Sequence, residues 1–338
     1  MLIHLQLVLA MFFYGVSFVS TKVALTAFGP VTILWVRLLL SAVFLIILDA
    51  TLRPAHTTRP GWQPAPAVPA HTARPGSQPA PAARAHTTHA GETTPADPAP
   101  QFRWPRRADL PSLLLVTLFQ PLLYFLAENI GLQFVSASIA SIIIATIPVF
   151  TPVLARPILG ERVRPLTILG LVLSLVGVAA IVLERRIEAQ FTAGGLVLIF
   201  LAVFAAVGYT ISVKQVSPRY RPLTIVKLQS LVGLPVIFVI PLLTEGLPSS
   251  LPDAEVIAHL LYLGIFPSSL AFVFLSAGIR ALGANRANVF VNLVPVFTAL
   301  VAWLLLGEVF TLQKVVGMAI VIAGVLAAQR GQEQLAPA

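Results

Sequence analysis

Two apolar stretches 147 residues apart carry nearly the same text. IPVFTPVLARPILGE runs from Ile147 to Glu161, and VPVFTALVAWLLLGE from Val294 to Glu308. Pro148 matches Pro295, Phe150 matches Phe297, Thr151 matches Thr298, Gly160 matches Gly307 and Glu161 matches Glu308. The register continues forward to Gly170/Gly317 and Gly177/Gly324 and back to Gly131/Gly278. A repeat of this kind constrains the architecture before any other property is considered, because each half must find the same local fold and pack against the other.

The medium around that fold follows from composition. The chain is 57% hydrophobic and 10% charged, whereas a soluble domain carries about 25% charged residues. Apolar runs near 20 residues recur along its length, each long enough to cross roughly 30 Å of hydrocarbon. There are no cysteines, so disulfides and thiolate metal sites are excluded and the compartment stays undecided. The first apolar run begins at residue 5 after His4, with neither a basic leader nor an A-x-A cleavage site, and reads as a retained helix. A net charge of +9 in a soluble protein would suggest nucleic acid. Here the cations sort by membrane side instead, and no nucleic-acid partner is expected.

The spans fall near 5–27, 29–49, 110–132, 136–158, 165–184, 193–214, 222–243, 256–279, 285–306 and 313–329. With the N-terminus in the cytoplasm, 17 of the 22 Lys and Arg lie inside and four outside, with Arg37 within the second span. That bias predicts ten helices with both termini cytoplasmic. The repeat also reaches the start of each half. GPVTI (29–33) matches RPLTI (221–225), and Lys22 matches Lys214. The offset there is 192 rather than 147, so the first half holds a net insertion of 45 residues. Five spans per half is an odd number, so the second half enters the membrane from the opposite side. The expected fold is an all-α integral membrane protein of ten transmembrane helices in two inverted five-helix repeats, 1–184 and 185–338. Such architecture implies a secondary transporter with its site between the halves.

The insertion is the Pro/Ala/Arg-rich stretch 51–108. PAHTTRPGWQPAPA (54–67) returns as PAHTARPGSQPAPA (69–82). Such a tract cannot bury a core and is expected to be disordered in a cytoplasmic loop. Its His56, His71, His86 and His89 are read as part of a dispensable expansion rather than as metal ligands, and its arginines can attract anionic lipid.

The doubled unit, the Pro-Val-Phe-Thr and Leu-Gly-Glu of each fourth span, and the spaced glycines of TILGLVLSLVGVAAIV (167–182) together resemble one family. It is the EamA-type branch of the drug/metabolite transporter superfamily. AENIGLQFVSASIASIIIATIPVFTP (127–152) is the most typical stretch. The resemblance implies an inner-membrane carrier of prokaryotic type for amino acids, other small metabolites or drugs. The long insertion departs from the short second loop usual in that family.

Several polar residues stand inside spans, where each needs a partner or a cavity. Glu128 follows Tyr124 and Gln120 at spacings of four, which would put all three on one helix face. It is the prime candidate for substrate binding and for a proton-linked step; the competing reading is a hydrated carboxylate at the helix mouth. Its match in the second half is Leu275. Asn288 and Asn292, at i and i+4, are expected to share a face and to bind substrate or join helices. Tyr14, Ser17 and Thr21 line one side of the first span, and Tyr209 and Thr210 stand in the sixth. They suit a small-molecule pocket or ordinary helix packing. Arg37 either snorkels outward or attracts an anionic group, and Lys22 and Lys214 are expected to snorkel. Pro121 and Pro267 fall at nearly matched points and should kink their helices, with Ser268 and Ser269 following as possible ligands. Gly160-Glu161 and Gly307-Glu308 read as helix ends whose glutamates cap the next helix.

No nucleotide-binding loop, metal cluster or nucleophile with its base is visible in the sequence, so neither an enzyme, a cofactor nor an ATP-driven step is expected. The expected function is alternating access around a site lined by spans 1, 3, 4, 6, 8 and 9. The alternatives are an uncoupled facilitator and a receptor or scaffold acting through 51–108. Oligomeric state is left open by the sequence.

Overall fold

Inside hydrocarbon a backbone N–H or C=O has no water to bond, so a spanning segment must close its own hydrogen bonds, as a helix does. The computed structural model describes residues 2–52, 105–135, 137–161, 163–182, 192–245, 252–306 and 311–333. Among them regular structure is helical throughout. The first half holds α1 Leu2–Ala24, α2 Pro30–Thr51, α3 Leu110–Thr117, α4 Tyr124–Phe134, α5 Ala137–Ile144, α6 Ile147–Leu159 and α7 Pro165–Val182. The second holds α8 Ala193–Val216, α9 Pro222–Thr244, α10 Ala254–Ile265, α11 Ala271–Leu282, α12 Ala284–Val289, α13 Val294–Leu306 and α14 Leu312–Glu333. All belong to the compact unit formed by Met1–Thr51 and Pro105–Ala338.

Six helical stretches among the described residues are long and apolar enough to cross a membrane: Leu2–Ala24, Pro30–Thr51, Arg107–Phe134, Ala193–Val216, Ala254–Leu282 and Ala284–Val301. Shorter apolar helices cover Ile147–Leu159, Pro165–Ala180, Pro222–Phe238 and Val315–Gly331. Large apolar side chains such as Ile47, Val153, Leu169 and Val197 face outward, while Arg37, Glu128, Asn129 and Asn288 are buried. This distribution suits a lipid surround, which offers polar groups no partner.

The interruptions fall at matched places. π-Helical turns at Leu118–Leu123 and Phe266–Leu270 separate α3 from α4 and α10 from α11. Pro121 and Pro267 lie inside them, each lacking an N–H and crowding the carbonyl one turn back. At Gln120 the backbone is extended, with φ −151° and ψ 125°, and the Gln120–Pro121 bond is cis. The spans expected near 136–158 and 285–306 also divide. A turn at 145–146 precedes α6, and a 3-10 turn at Phe290–Leu293 precedes α13. α6 and α13 start at Ile147 and Val294, the matched positions. Pro148 and Pro295 then sit in a first turn, where the missing N–H removes no helical bond.

Packing repeats in the same register. Gly170 meets Gly324 and Ala328, Gly177 meets Gly317 and Val321, and Gly331 meets Thr167, so α7 and α14 run antiparallel. A Cβ on Gly177 would stand 2.7 Å from the Gly317 carbonyl oxygen; only glycine lets these two backbones touch. Gly131 on α4 packs against Ile199 on α8, and its match Gly278 on α11 packs against Leu7 on α1, the match of Ile199. The Lys22 ammonium donates to the Leu132 carbonyl near the end of α4. Its match Lys214 donates to the Ile279 carbonyl near the end of α11, at 3.4 Å. Rather than snorkelling freely, both lysines bond carbonyls in the last turn of a helix.

The insertion is shorter than its composition suggests at its C-terminal end. The 3-10 turn Arg107–Asp109 leads into α3, and Asp109 is buried, its carboxylate accepting from Arg219 and from the Tyr220 hydroxyl at 2.9 Å. Bonding to the α8–α9 connection, invisible in composition, orders it. The four histidines of the tract lie outside the described residues.

Candidate functional site

A small cavity lies in the bundle. Its wall comes from six spans. Tyr14, Ser17 and Phe18 stand on α1; Gln120 lies in the first π-helical turn, and Tyr124, Phe125 and Glu128 on α4. Ile144 and Ile147 mark the α5–α6 break. Ala206, Tyr209 and Thr210 stand on α8, Leu275 on α11, and Asn288, Val291 and Val294 on α12, the 3-10 turn and α13. These are the six spans expected from the sequence to line the site.

The wall is paired by the repeat. Tyr14 and Ala206, Ser17 and Tyr209, and Phe18 and Thr210 are each 192 residues apart. Glu128 and Leu275, Ile144 and Val291, and Ile147 and Val294 are each 147 apart. At these six pairs the halves present matched positions to one space, while the chemistry at those positions differs. The first half supplies the carboxylate where the second supplies leucine.

Glu128 is 3% exposed, which removes the reading of a hydrated carboxylate at a helix mouth. It accepts from the Tyr124 hydroxyl one turn earlier, at 3.4 Å. Gln120 reaches the same wall through the extended backbone at the break rather than through helical spacing. Tyr209 shares a hydrogen bond of 3.1 Å with Ser276. Asn288 donates to Thr151 at 2.8 Å and Thr210 at 3.1 Å, tying α12 to α6 and α8. Phe272 stacks edge-on with Tyr14, Phe125 and Tyr209, holding the aromatic side of the wall in place.

Other expected residues stand elsewhere. Asn292 does not share a face with Asn288, because the intervening 3-10 turn has three residues per turn rather than 3.6 and rotates it away. It donates to Ser174 on α7. Ser268 is off the cavity wall, accepting from Arg37 Nε at 3.0 Å, while its carbonyl accepts from Ser41. Ser269 bonds Ser41 and the Gly264 carbonyl, each at 2.8 Å. Arg37 does not snorkel. It is 1% exposed, with its guanidinium carbon 3.7 Å from the centroid of the Phe125 ring. Thr21 is buried away from the wall.

Gly160 ends α6 at φ +69°, a left-handed conformation open to a residue without Cβ. The Glu161 carboxylate accepts from the backbone N–H groups of Ala284 (2.8 Å) and Asn285 (3.0 Å), at the start of α12. It thus caps α12 rather than the next helix in the chain, α7. Glu245, which the sequence did not single out, does the same for α2, accepting from Val31 and Thr32 at 2.8 Å each. Gly307 and Glu308 lie outside the described residues. Phe18, Phe125, Ile144, Ile147, Val291 and Val294 were also missed as wall residues; the 147-residue register was the signal that could have paired four of them.

The EamA-like transporter family matches residues 97–183 and 193–328, the greater part of the chain. The chain belongs to this family. It is a multi-pass membrane protein of a transporter family. A Streptantibioticus cattleyicolor protein named "Probable terminal-alkyne amino-acid exporter" is 32% identical over 231 residues, covering 68% of this chain and 76% of that protein. An Archaeoglobus fulgidus protein named as an uncharacterized transporter is 27% identical over 217 residues, 64% of this chain and 76% of that one. Another so named, YdfC of Bacillus subtilis, is 27% identical over 228 residues, 67% and 73%. A solved crystal structure aligns over 98% of each chain with a TM-score of 0.69 at 14% identity, a likeness of fold alone.

Proposed function

We propose that the protein is a secondary transporter of the inner membrane that moves a small metabolite, amino acid or drug by alternating access. Its ten spans form two inverted five-helix halves, 1–184 and 185–338, with both termini cytoplasmic. The observation that carries this reading is the cavity wall, twelve of whose sixteen residues pair across the two halves at the offsets of the repeat. A site on the axis between inverted halves can be uncovered from either side by rocking one half against the other. The antiparallel run of the matched helices α7 and α14 supports the inverted arrangement.

Glu128 is the coupling residue in this reading. It is the one carboxylate on the wall, and the groups that face it are Tyr124 on its own helix, Arg37 on α2 and Tyr14 on α1. A proton taken up at Glu128 would change the charge of the cavity and hence its affinity for solute, which links the two flows. Solute flux into proteoliposomes, from a pool of amino acids and small metabolites with and without an inward-acid gradient, tests the function. Flux that rises with the gradient is expected. Glu128→Gln should abolish the pH dependence and leave the protein folded; a variant whose flux keeps its pH dependence refutes the coupling role.

A further inference from the structure

α6 and α7 follow one another in the chain but pack on different partners. α6 lies against α8 and α12, whereas its own glycines hold α7 against α14. The two barely touch beyond the turn at Gly160, and a groove larger than the cavity opens between them on the face of the bundle. Val149, Pro152 and Val153 line one wall, and Ile168 and Val172 the other. Val153, Ile168 and Val172 are exposed there. The groove shares no residue with the cavity wall.

At the end nearest the turn stands Arg156, which is exposed and whose side chain makes no hydrogen bond or ion pair. The acid nearest to it in the chain, Glu161, is committed to the N–H groups of Ala284 and Asn285. Arg162 and Arg164 follow in the connection to α7, which adds cationic residues beside this end. From Arg156 back to Val149 the helix runs about 10 Å, at 1.5 Å per residue. One end of the groove is therefore cationic and its length apolar. The repeat does not keep this chemistry, since Arg156 matches Trp303 and Pro152 matches Ala299. In the orientation proposed above, Arg156 stands at the cytoplasmic leaflet, where anionic lipids collect, and position 303 at the opposite one.

We infer that the α6–α7 groove is a binding site for one anionic glycerophospholipid, with its phosphate on Arg156 and an acyl chain along Val149, Val153, Ile168 and Val172. The fork of a guanidinium fits two phosphate oxygens side by side. Basic pockets between membrane helices on the cytoplasmic side take such headgroups. A zwitterionic headgroup would bring its own cation toward Arg156, and a soluble phosphate would leave the apolar walls uncovered. The orientation fixes only the leaflet; the site itself stands on the groove and does not require transport.

The test is lipid retention by the full-length protein in detergent, read by native mass spectrometry. Phosphatidylglycerol and phosphatidylcholine of the same acyl chains are supplied at equal concentration. The wild type should retain phosphatidylglycerol about fivefold more than phosphatidylcholine, the preference one arginine near the surface supports. Arg156→Gln should remove that preference. Arg221→Gln, an exposed cation at the start of α9, which packs on α2, α3 and α11, should keep it. Val153→Trp fills the groove and should lower phosphatidylglycerol retention with Arg156 intact. Equal retention of the two lipids by the wild type overturns the inference, as does a preference that survives Arg156→Gln. Loss of preference in Arg221→Gln to the same degree overturns it too, since it would mark a general effect of charge. Displacement of the lipid by inorganic phosphate overturns the acyl-chain seat, and a dimer that Val153→Trp dissolves assigns the groove to a second copy instead. Should Val153→Trp not fold, the wild-type preference and the two arginine variants decide.

Discussion

Replacing Gly177 by alanine sets two effects of similar size against each other at the contact of α7 and α14. Alanine is favoured over glycine in a helix by about 1 kcal/mol. Against this, the new Cβ would stand 2.7 Å from the Gly317 carbonyl oxygen and 2.7 Å from the Val321 nitrogen. Comfortable non-bonded contacts begin near about 3.5 Å, so the helices must part by most of an ångström. Overpacking costs about 1–3 kcal/mol, and the upper half of that range applies because both neighbours are backbone and cannot rotate aside. Parting the helices also loosens the contacts at Gly170 and Gly324. The net expectation is a loss of about 1–2 kcal/mol after the propensity gain. Gly194→Ala is the internal control: nothing lies within 4 Å of its added Cβ in the first turn of α8, so only propensity acts and stability should rise slightly. Equilibrium unfolding in detergent, run on both variants, should give shifts of opposite sign. A Gly177→Ala protein as stable as the wild type would refute the account of the α7–α14 contact.

Two further substitutions test bonds that join distant parts of the chain. Glu245→Ala removes two charge-assisted bonds to the start of α2; because the cap is partly exposed, water replaces some of the loss, and about 1–2 kcal/mol is expected in the same unfolding assay. Glu245→Gln should recover part of it, and an alanine variant of wild-type stability would show that the cap contributes nothing. Asn288→Ala breaks bonds to Thr151 and Thr210, but both hydroxyls keep a carbonyl of their own helix, Ile147 and Ala206. At about 0.6 kcal/mol for an interhelical bond in a membrane, the loss should be near 1 kcal/mol; a far larger drop in stability would mean that Asn288 holds more than these two threonines.

Much of the wall was legible because polar groups inside a membrane have few places to go. Tyr14, Ser17, Tyr124, Glu128, Tyr209, Thr210 and Asn288 stood out as hydroxyls, amides or a carboxylate in apolar runs, and they meet at one cavity. Direction is less legible where a helix breaks. Asn292 was placed by a spacing of four, and one 3-10 turn sends it to Ser174 instead. The apolar wall residues gave no compositional signal, since every span is apolar.

Sequence alone determined the medium, the all-helical class and the internal repeat, because hydropathy and a fixed register act locally along the chain and need no knowledge of neighbours. Only the tertiary structure decided which end of which helix Glu161 and Glu245 cap, 123 and 214 residues away in the chain. It alone decided that Arg37 lies buried against Phe125 with two nitrogens unbonded. Those outcomes depend on how helices pack side by side, and a hydrogen bond between distant segments leaves no periodic mark in either of them.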